Sequence, residues 1–449
     1  MEEILKEEVE VLQNLIKINT TNPPGNELPA CKYLKSFLEK EKIDCEILTS
    51  QENRGNLIAK ISANNKKEKP LLLLSHLDVV PAEEEKWEIH PFSGELKDGF
   101  IWGRGALDCK GLVVKELFTL ILLKRKNIKL KRDVIFAATA DEEKGGEQGL
   151  GYLINNHFEK ISAEYALNEG GGFSIYFRNK NYYFLQNAEK GLCWLKIKIK
   201  GTPGHASTPH LDNPVIHISN IIKKITSYTP PLKFSETTEK MFEEIISREK
   251  FPNNLILKIL KFSPILKYLT NLKKSPKKLQ ETGFPKMLFA MFHNTLTPTI
   301  VKGGYKVNII PSEAEVEVDC RILPGETKES FLKTVKDLLK NFSPEIEVTE
   351  YHPATFSPLN TELYEIIKDV VSHYDNSSVI LPFMQTGATD SRFLRMKNII
   401  SYGFEPMKID LPYLEYLNMV HGHNERVSLK NLSFGTEVLF EIVKRFCTL

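Results

Sequence analysis

LLLLSHLDVVPA (71–82) is the stretch on which the fold turns. Its apolar run reads as a strand buried in a sheet, and His76 and Asp78 follow just past the end of that run. A histidine and an aspartate so placed make a good ligand arrangement. Imidazole binds zinc through one nitrogen, while a nearby carboxylate can hold the proton of the other. Taken alone, a surface histidine beside a turn aspartate reads equally well.

Outward from this stretch, further short apolar runs lie at 56–62, 132–139 and 163–168, each bounded by polar or Gly-rich breaks. Helical periodicity appears at Ile4, Leu5, Val9, Leu12 and Ile16, then over 28–41, 111–125 and 149–158. The turn TNPPGNE separates the first two helices, because proline and glycine do not continue a helix. Strands alternating with helices predict an α/β layered sheet. The middle differs. GLCWLKIKIKG (191–201) and VNIIPSEAEVEVDCRILPG (307–325) alternate like half-buried strands around a helix at 213–226 and a long insert at 229–300. This block reads as a smaller α+β domain, 189–326, set into a larger one made of 1–188 and 327–449, with a further strand near 397–402.

Bulk properties limit the function. With 60 Lys+Arg against 58 Asp+Glu, the net charge of +2 gives no general reason to bind nucleic acid. No stretch of 18 apolar residues occurs, so no transmembrane helix is expected. The acidic opening MEEILKEEVEVL does not resemble a secretory signal. Six cysteines without CxxC or CxxH spacing read as reduced, mostly buried thiols, which points to the cytoplasm.

Four more segments carry chemistry. In IWGRGALDCKGL (101–112), Asp108 lies in a Gly-rich loop before a helix; the GxG matches neither nucleotide-binding pattern, so a nucleotide-dependent oxidoreductase is set aside. In VIFAATADEEKGGEQG (134–149), Asp141, Glu142 and Glu143 end an apolar strand, where adjacent acids are costly unless cations neutralise them. In AEYALNEGGG (163–172), Glu169 ends another strand, and VHGHNERV (420–427) offers His421 and His423. His76, Glu142/Glu143 and Glu169 thus all fall at carboxyl ends of strands, the edge where open α/β sheets bind ligands. The mixed imidazole and carboxylate set suits zinc, with cobalt or manganese as alternatives.

In combination with GTPGHAS (201–207), these motifs resemble the two-zinc aminoacylase/carboxypeptidase family of metallopeptidases, in the expected order and over nearly the whole chain. The resemblance implies a three-layer catalytic domain with a central mixed sheet and an inserted lid domain that also forms homodimers in many members. It implies that His76 and Glu169 hold one metal, Glu143 and His421 the other, and that Asp108 bridges both opposite a shared water. Asp78 would be the partner of His76, and Glu142 the general base. The peptide after Asp108 would be cis. His205 would stabilise the oxyanion, often in the partner subunit's site, where a plain loop histidine is the bland alternative. Arg321 would bind the substrate carboxylate, since its fork matches a carboxylate; it shares a strand face with Asp319, so a sheet salt bridge is the alternative. Asn308, Gly387 and Thr389 would contact substrate. The expected function is hydrolysis of an amide or peptide bond beside a free carboxylate in a small molecule. A biosynthetic deacylase of acetylornithine or succinyl-diaminopimelate type and an inactive binding relative are the competing readings.

The apolar, basic segment FPNNLILKILKFSPILKYLTNL (251–272) reads first as helices packing on the lid or on a dimer mate. A cover over a bulky acyl pocket is the second reading. Membrane-surface association is the third, weakened by Pro264, and no stable insertion is expected.

Overall fold

The run of four leucines is buried on both faces. In the computed structural model, which describes residues 2–250, 252–262, 266 and 284–448, strand Leu71–His76 lies inside a mixed sheet. Leu71 and Leu73 point into one apolar core, together with Leu57, Phe136 and Leu167. Leu72 and Leu74 point into another, with Ile58, Ile135 and Ala166. Alternate residues of a strand face opposite sides, so a continuous apolar run requires a layer of helices on each side.

Those helices belong to the first of two compact units, Met1–Asn187 with Ser357–Phe383 and Thr389–Leu449. On one face pack Glu2–Lys17, Lys110–Arg125, Glu362–Tyr374 and Leu429–Cys447. Leu150–Asn156 and Ser391–Met396 cover the other. Helix Lys110–Arg125 is buried on all sides from Lys110 to Leu123, so its apolar residues are not confined to one face, and it buries Lys110, Lys115 and Glu116 with them. The sheet runs Asp44–Gln51, Arg54–Ile61, Val134–Thr139, Leu71–His76, Tyr165–Asn168, Ile400–Gly403, Lys180–Glu189. Its four middle strands are mutually parallel and the outer pairings antiparallel.

The second unit comprises Ala188–Phe356 and Met384–Ala388. Its antiparallel sheet has the order Thr295–Gly303, Glu313–Ile322, Gly191–Lys200, Glu345–His352. One face buries Leu195, Ile197, Val316, Val318 and Cys320 against helices Pro214–Ser227 and Lys328–Leu339. The other face carries charges paired across strands, such as Lys302 with Glu315 and Glu317 at 3.2 and 3.1 Å. The sequence reading closed this block at 326, whereas the unit continues to Phe356. Helix Lys328–Leu339 puts Phe331, Val335 and Leu339 into this core, and strand Glu345–His352 pairs with Gly191–Lys200. Of the 251–272 segment, 252–262 and 266 are described, with helix Asn253–Phe262; the rest lies outside the described residues.

The six cysteines are unpaired, and all but Cys45 are buried. No helix among the described residues is long and apolar enough to cross a membrane.

Candidate active site

Parallel strands bring their carboxyl ends to one edge. His76 stands opposite Thr139 in the register, and Glu169 follows Asn168 at the end of the neighbouring strand. The Asp141–Glu143 turn begins two residues after Thr139. Three segments far apart in sequence thus deliver acids and an imidazole to one place within the first unit, and the Gly103–Asp108 loop and the 420–425 segment complete it.

Among the described residues three groups of possible ligands result, and one of them, His76 with Asp108 and Cys109, shares a residue with each of the other two. Ligand atoms of His76, Glu142 and Glu169 lie within 4.8 Å of one another, as do those of Asp108, Glu143 and His421. Asp108 joins them, with Oδ1 3.0 Å from His76 Nε2 and Oδ2 3.1 Å from His421 Nε2. His421 Nε2 is also 3.2 Å from Glu143 Oε2. His423 turns elsewhere, to Glu83 at 2.9 Å. The Asp108–Cys109 peptide is cis. Cys109 accepts from the His76 amide at 3.2 Å and donates back to its carbonyl at 3.4 Å, tying the loop to the strand end.

The supporting shell is more extensive than the motifs suggested. Glu425 is fully buried and its carboxylate accepts from Arg104 Nη1, Gly105 N, Leu107 N and Asp108 N at 2.7–3.1 Å. Asp141 sits at φ +70°, a backbone region that asparagine and aspartate tolerate better than most residues. Its carboxylate is fixed by Asn22 at 3.0 Å, Arg54 at 2.9 Å and the Gln148 amide at 2.9 Å. None of Asn22, Arg54 and Glu425 was singled out from the sequence, and only the HGHNE context of His421 pointed toward the last.

Asp78 plays a broader part than a partner of His76. His76 Nδ1 meets the Asp78 main-chain oxygen at 2.9 Å, with the carboxylate at 3.5 Å. That carboxylate accepts from Asn22 Nδ2 at 2.8 Å and from the amides of Glu142 and Glu143 at 3.1 and 3.2 Å. Buried donors left without an acceptor cost about 1–3 kcal/mol each. Asp78→Ala is therefore expected to lower the unfolding midpoint and to cut kcat by at least ~10-fold by loosening the Glu142–Glu143 turn. Thermal unfolding and steady-state kinetics on one preparation check this, and a variant with wild-type kcat would overturn it.

The electrostatics call for cations. Burial, then the charge of Glu169, lifts Glu142 well above the ordinary carboxylate range; burial and then Asp108 do the same for Glu169. Burial also raises Glu143. Asp108 moves the other way: against its burial, hydrogen bonds from His421 and His76 hold it below the usual range. Its partners Asp108 and Glu143 push His421 up to about 10. Glu143 Oε1 is buried without a hydrogen-bond partner among the described residues. Crowded carboxylates facing two imidazoles, with an orphaned buried oxygen, fit divalent metal ions.

The remaining candidates are distributed between the units. In the second, His205 pairs with Ile309 in a short two-stranded element, is exposed, and has Nδ1 2.7 Å from Ser207 Oγ. Asn308 is exposed and its carbonyl accepts from Ala206 N at 3.1 Å. Arg321 forms the sheet pair with Asp319 that its strand face allowed, Nε to Oδ1 at 2.8 Å and Nη2 to Oδ2 at 3.0 Å. Gly387 lies in the Met384–Ala388 segment. In the first unit, Thr389 is buried, and its Cγ2 would lie 3.3 Å from a Cβ placed on Gly170, the residue after Glu169.

A mixed α/β sheet with imidazoles and carboxylates gathered at its parallel strand ends defines a metallohydrolase. Residues 72–445 match the model of peptidase family M20/M25/M40, and the chain belongs to that family. It is 28% identical over 454 residues to the N-fatty-acyl-amino acid synthase/hydrolase PM20D1 of Xenopus tropicalis, an alignment spanning 98% of this chain and 86% of the relative. A probable succinyl-diaminopimelate desuccinylase of Staphylococcus aureus (strain Mu50) is 27% identical over 392 residues, 86% of this chain and 87% of its own. Among solved structures, the M20 family metallo-carboxypeptidase Sso-CP2 from Sulfolobus solfataricus shares the fold with a TM-score of 0.71, at 20% identity over 98% of both chains.

Proposed function

We propose that this chain is a two-metal amidohydrolase that cleaves the amide of an N-acyl amino acid or short peptide beside a free carboxylate, with an apolar group on the acyl side. The observation that carries this reading is the double cluster in which Asp108 touches both His76 and His421. His76, Glu169 and Asp108 would hold one metal, and Glu143, His421 and Asp108 the other, zinc first and cobalt or manganese as substitutes. Two such ions would lower the pKa of a water between them and polarise the substrate carbonyl. Glu142 takes the proton from the attacking water and delivers it to the leaving nitrogen. His205 and Asn308 stabilise the oxyanion, Arg321 binds the substrate carboxylate, and Gly387 and Thr389 line the substrate. The N-fatty-acyl-amino acid synthase/hydrolase of Xenopus tropicalis, to which the chain is similar, supports an acyl amino acid over a biosynthetic deacylase substrate.

In the same reading the chain works in a reducing compartment, the cytoplasm, which six unpaired cysteines favour. The second unit would act as the lid and pair with a copy of itself. Edge strand Thr295–Gly303 supports this, exposing Ile300 and Val301 at 46% and 56%.

The test is metal analysis with a panel of N-acyl amino acids and dipeptides. Dialysis against a chelator should abolish hydrolysis, and zinc, cobalt or manganese should restore it. His421→Ala should bind about one metal ion fewer than wild type, while His423→Ala keeps the full complement. Hydrolysis that survives complete metal removal would sink the proposal.

A further inference from the structure

Within the second unit a cleft of about 520 Å³ has Lys190, Tyr228, Phe289, Leu296, Asp319 and Arg321 among its walls. Its charges are arranged with unusual economy. The Asp319 carboxylate accepts three hydrogen bonds, from Arg321 Nε and Nη2 and from Trp194 Nε1 at 3.1 Å. The guanidinium is therefore held by one edge. It has five N–H donors in a rigid plane, so the engaged edge leaves three, enough for a second carboxylate to bind in fork geometry at the other end. Arg321 Nη1 has no hydrogen-bond partner among the described residues.

Lys190 is the second cation. It is 3% exposed, and its Nζ donates to the carbonyls of Ala290 at 3.0 Å and His293 at 2.7 Å. Neutral carbonyls do not discharge it, and an ammonium without a counter-ion is costly in such a place. Burial and then the charge of Arg321 push its pKa down to about 7. Asp319 offsets one of these two positive charges, and the exposed Lys286 lines the cleft as a third cation, so positive charge is in excess beside apolar walls.

We propose that Asp319 and Lys190 are specificity-determining residues: Asp319 grips Arg321 by its Nε edge and presents the Nη1 edge to a ligand, and Lys190 supplies buried positive charge beside it, so that the cleft selects a ligand with a carboxylate on an apolar body. This rests on the assignment of Arg321 to the substrate carboxylate. Asp319 is a positioning residue here and not a competitor, because it and the ligand use different edges of the same guanidinium.

The probe is the ketomethylene analogue of N-octanoyl-phenylalanine, in which a CH2 replaces the amide NH, together with its primary carboxamide. Calorimetric binding to the full, metal-loaded chain is compared for wild type, Asp319→Asn and Lys190→Gln, with unfolding midpoints as a check. Wild type should prefer the carboxylate by ~10–100-fold, the scale of charge-assisted hydrogen bonds. Asp319→Asn should weaken the carboxylate ~10-fold and leave the carboxamide within about twofold. Lys190→Gln should narrow the preference in the same sense. Tighter carboxylate binding in Asp319→Asn, equal losses for both ligands, or no preference in wild type would each overturn the inference. If the selectivity pattern appears in a protein that hydrolyses no amide, the proposed function fails and this inference stands. Amide hydrolysis with an unchanged preference in Asp319→Asn gives the reverse.

Discussion

Glu142→Gln is expected to lower kcat for amide hydrolysis by ~10²–10⁴-fold while bound metal stays at the wild-type level. The position of Glu142 argues for this. Its main-chain amide is fixed by Asp78 Oδ1 at 3.1 Å, so the side chain starts from a held point. It shares a group with His76 and Glu169, all ligand atoms within 4.8 Å, and is absent from the group of Asp108, Glu143 and His421. A base must reach the water without being consumed as a ligand, and Glu142 and Glu143 divide those tasks between adjacent positions. Glutamine has the same shape but cannot accept the proton. The contrast is Glu143→Gln, which should lose metal as well as activity. Metal analysis and kinetics on the same preparations decide the matter. If Glu142→Gln keeps wild-type turnover, or loses metal as Glu143→Gln does, the base lies elsewhere.

The residues that could be read in advance share a cause. His76, Glu142, Glu143 and Glu169 sit where short apolar runs end, and a run of Leu71–Leu74 or Val134–Ala138 announces its own burial. Choosing Glu142 over Glu143 as base, and His421 over His423 as ligand, required the family resemblance. The structure brings His421 to Asp108 and sends His423 to Glu83. What could not be read was the support. Asn22 and Arg54 reach Asp141 across 119 and 87 positions, and a pairing at that range leaves no periodicity in the sequence. The extent of the second unit was hidden for a related reason. EIEVTEYH alternates like any half-buried strand, and nothing local says that its partner lies near residue 195. Strand Ser378–Gln385 is buried along most of its length but carries Pro382, which reads against a central strand.

Glu425 is the support whose loss should be felt most. Its carboxylate is the common acceptor for Arg104 and for three consecutive-loop amides, those of Gly105, Leu107 and Asp108. Arg104 and Glu425 side chains are 2% and 0% exposed. Breaking a buried ion pair by removing one partner costs ~3–5 kcal/mol, because the other charge is left without compensation. Glu425→Ala should therefore unfold at a clearly lower temperature. Its damage should not be uniform, since the amide of Asp108 is released with it and the loop that carries Asp108 loses its anchor. Metal affinity should fall together with kcat, although Glu425 touches no ligand atom. Glu425→Gln offers the sharper comparison. It fills the same volume and keeps one carbonyl acceptor, but turns an NH2 toward donors that need an oxygen. Intermediate stability with weakened metal binding is the expected result. Were Glu425→Gln to lose stability yet bind metal as tightly as wild type, the loop would be held by its own backbone, and the four hydrogen bonds would serve folding alone.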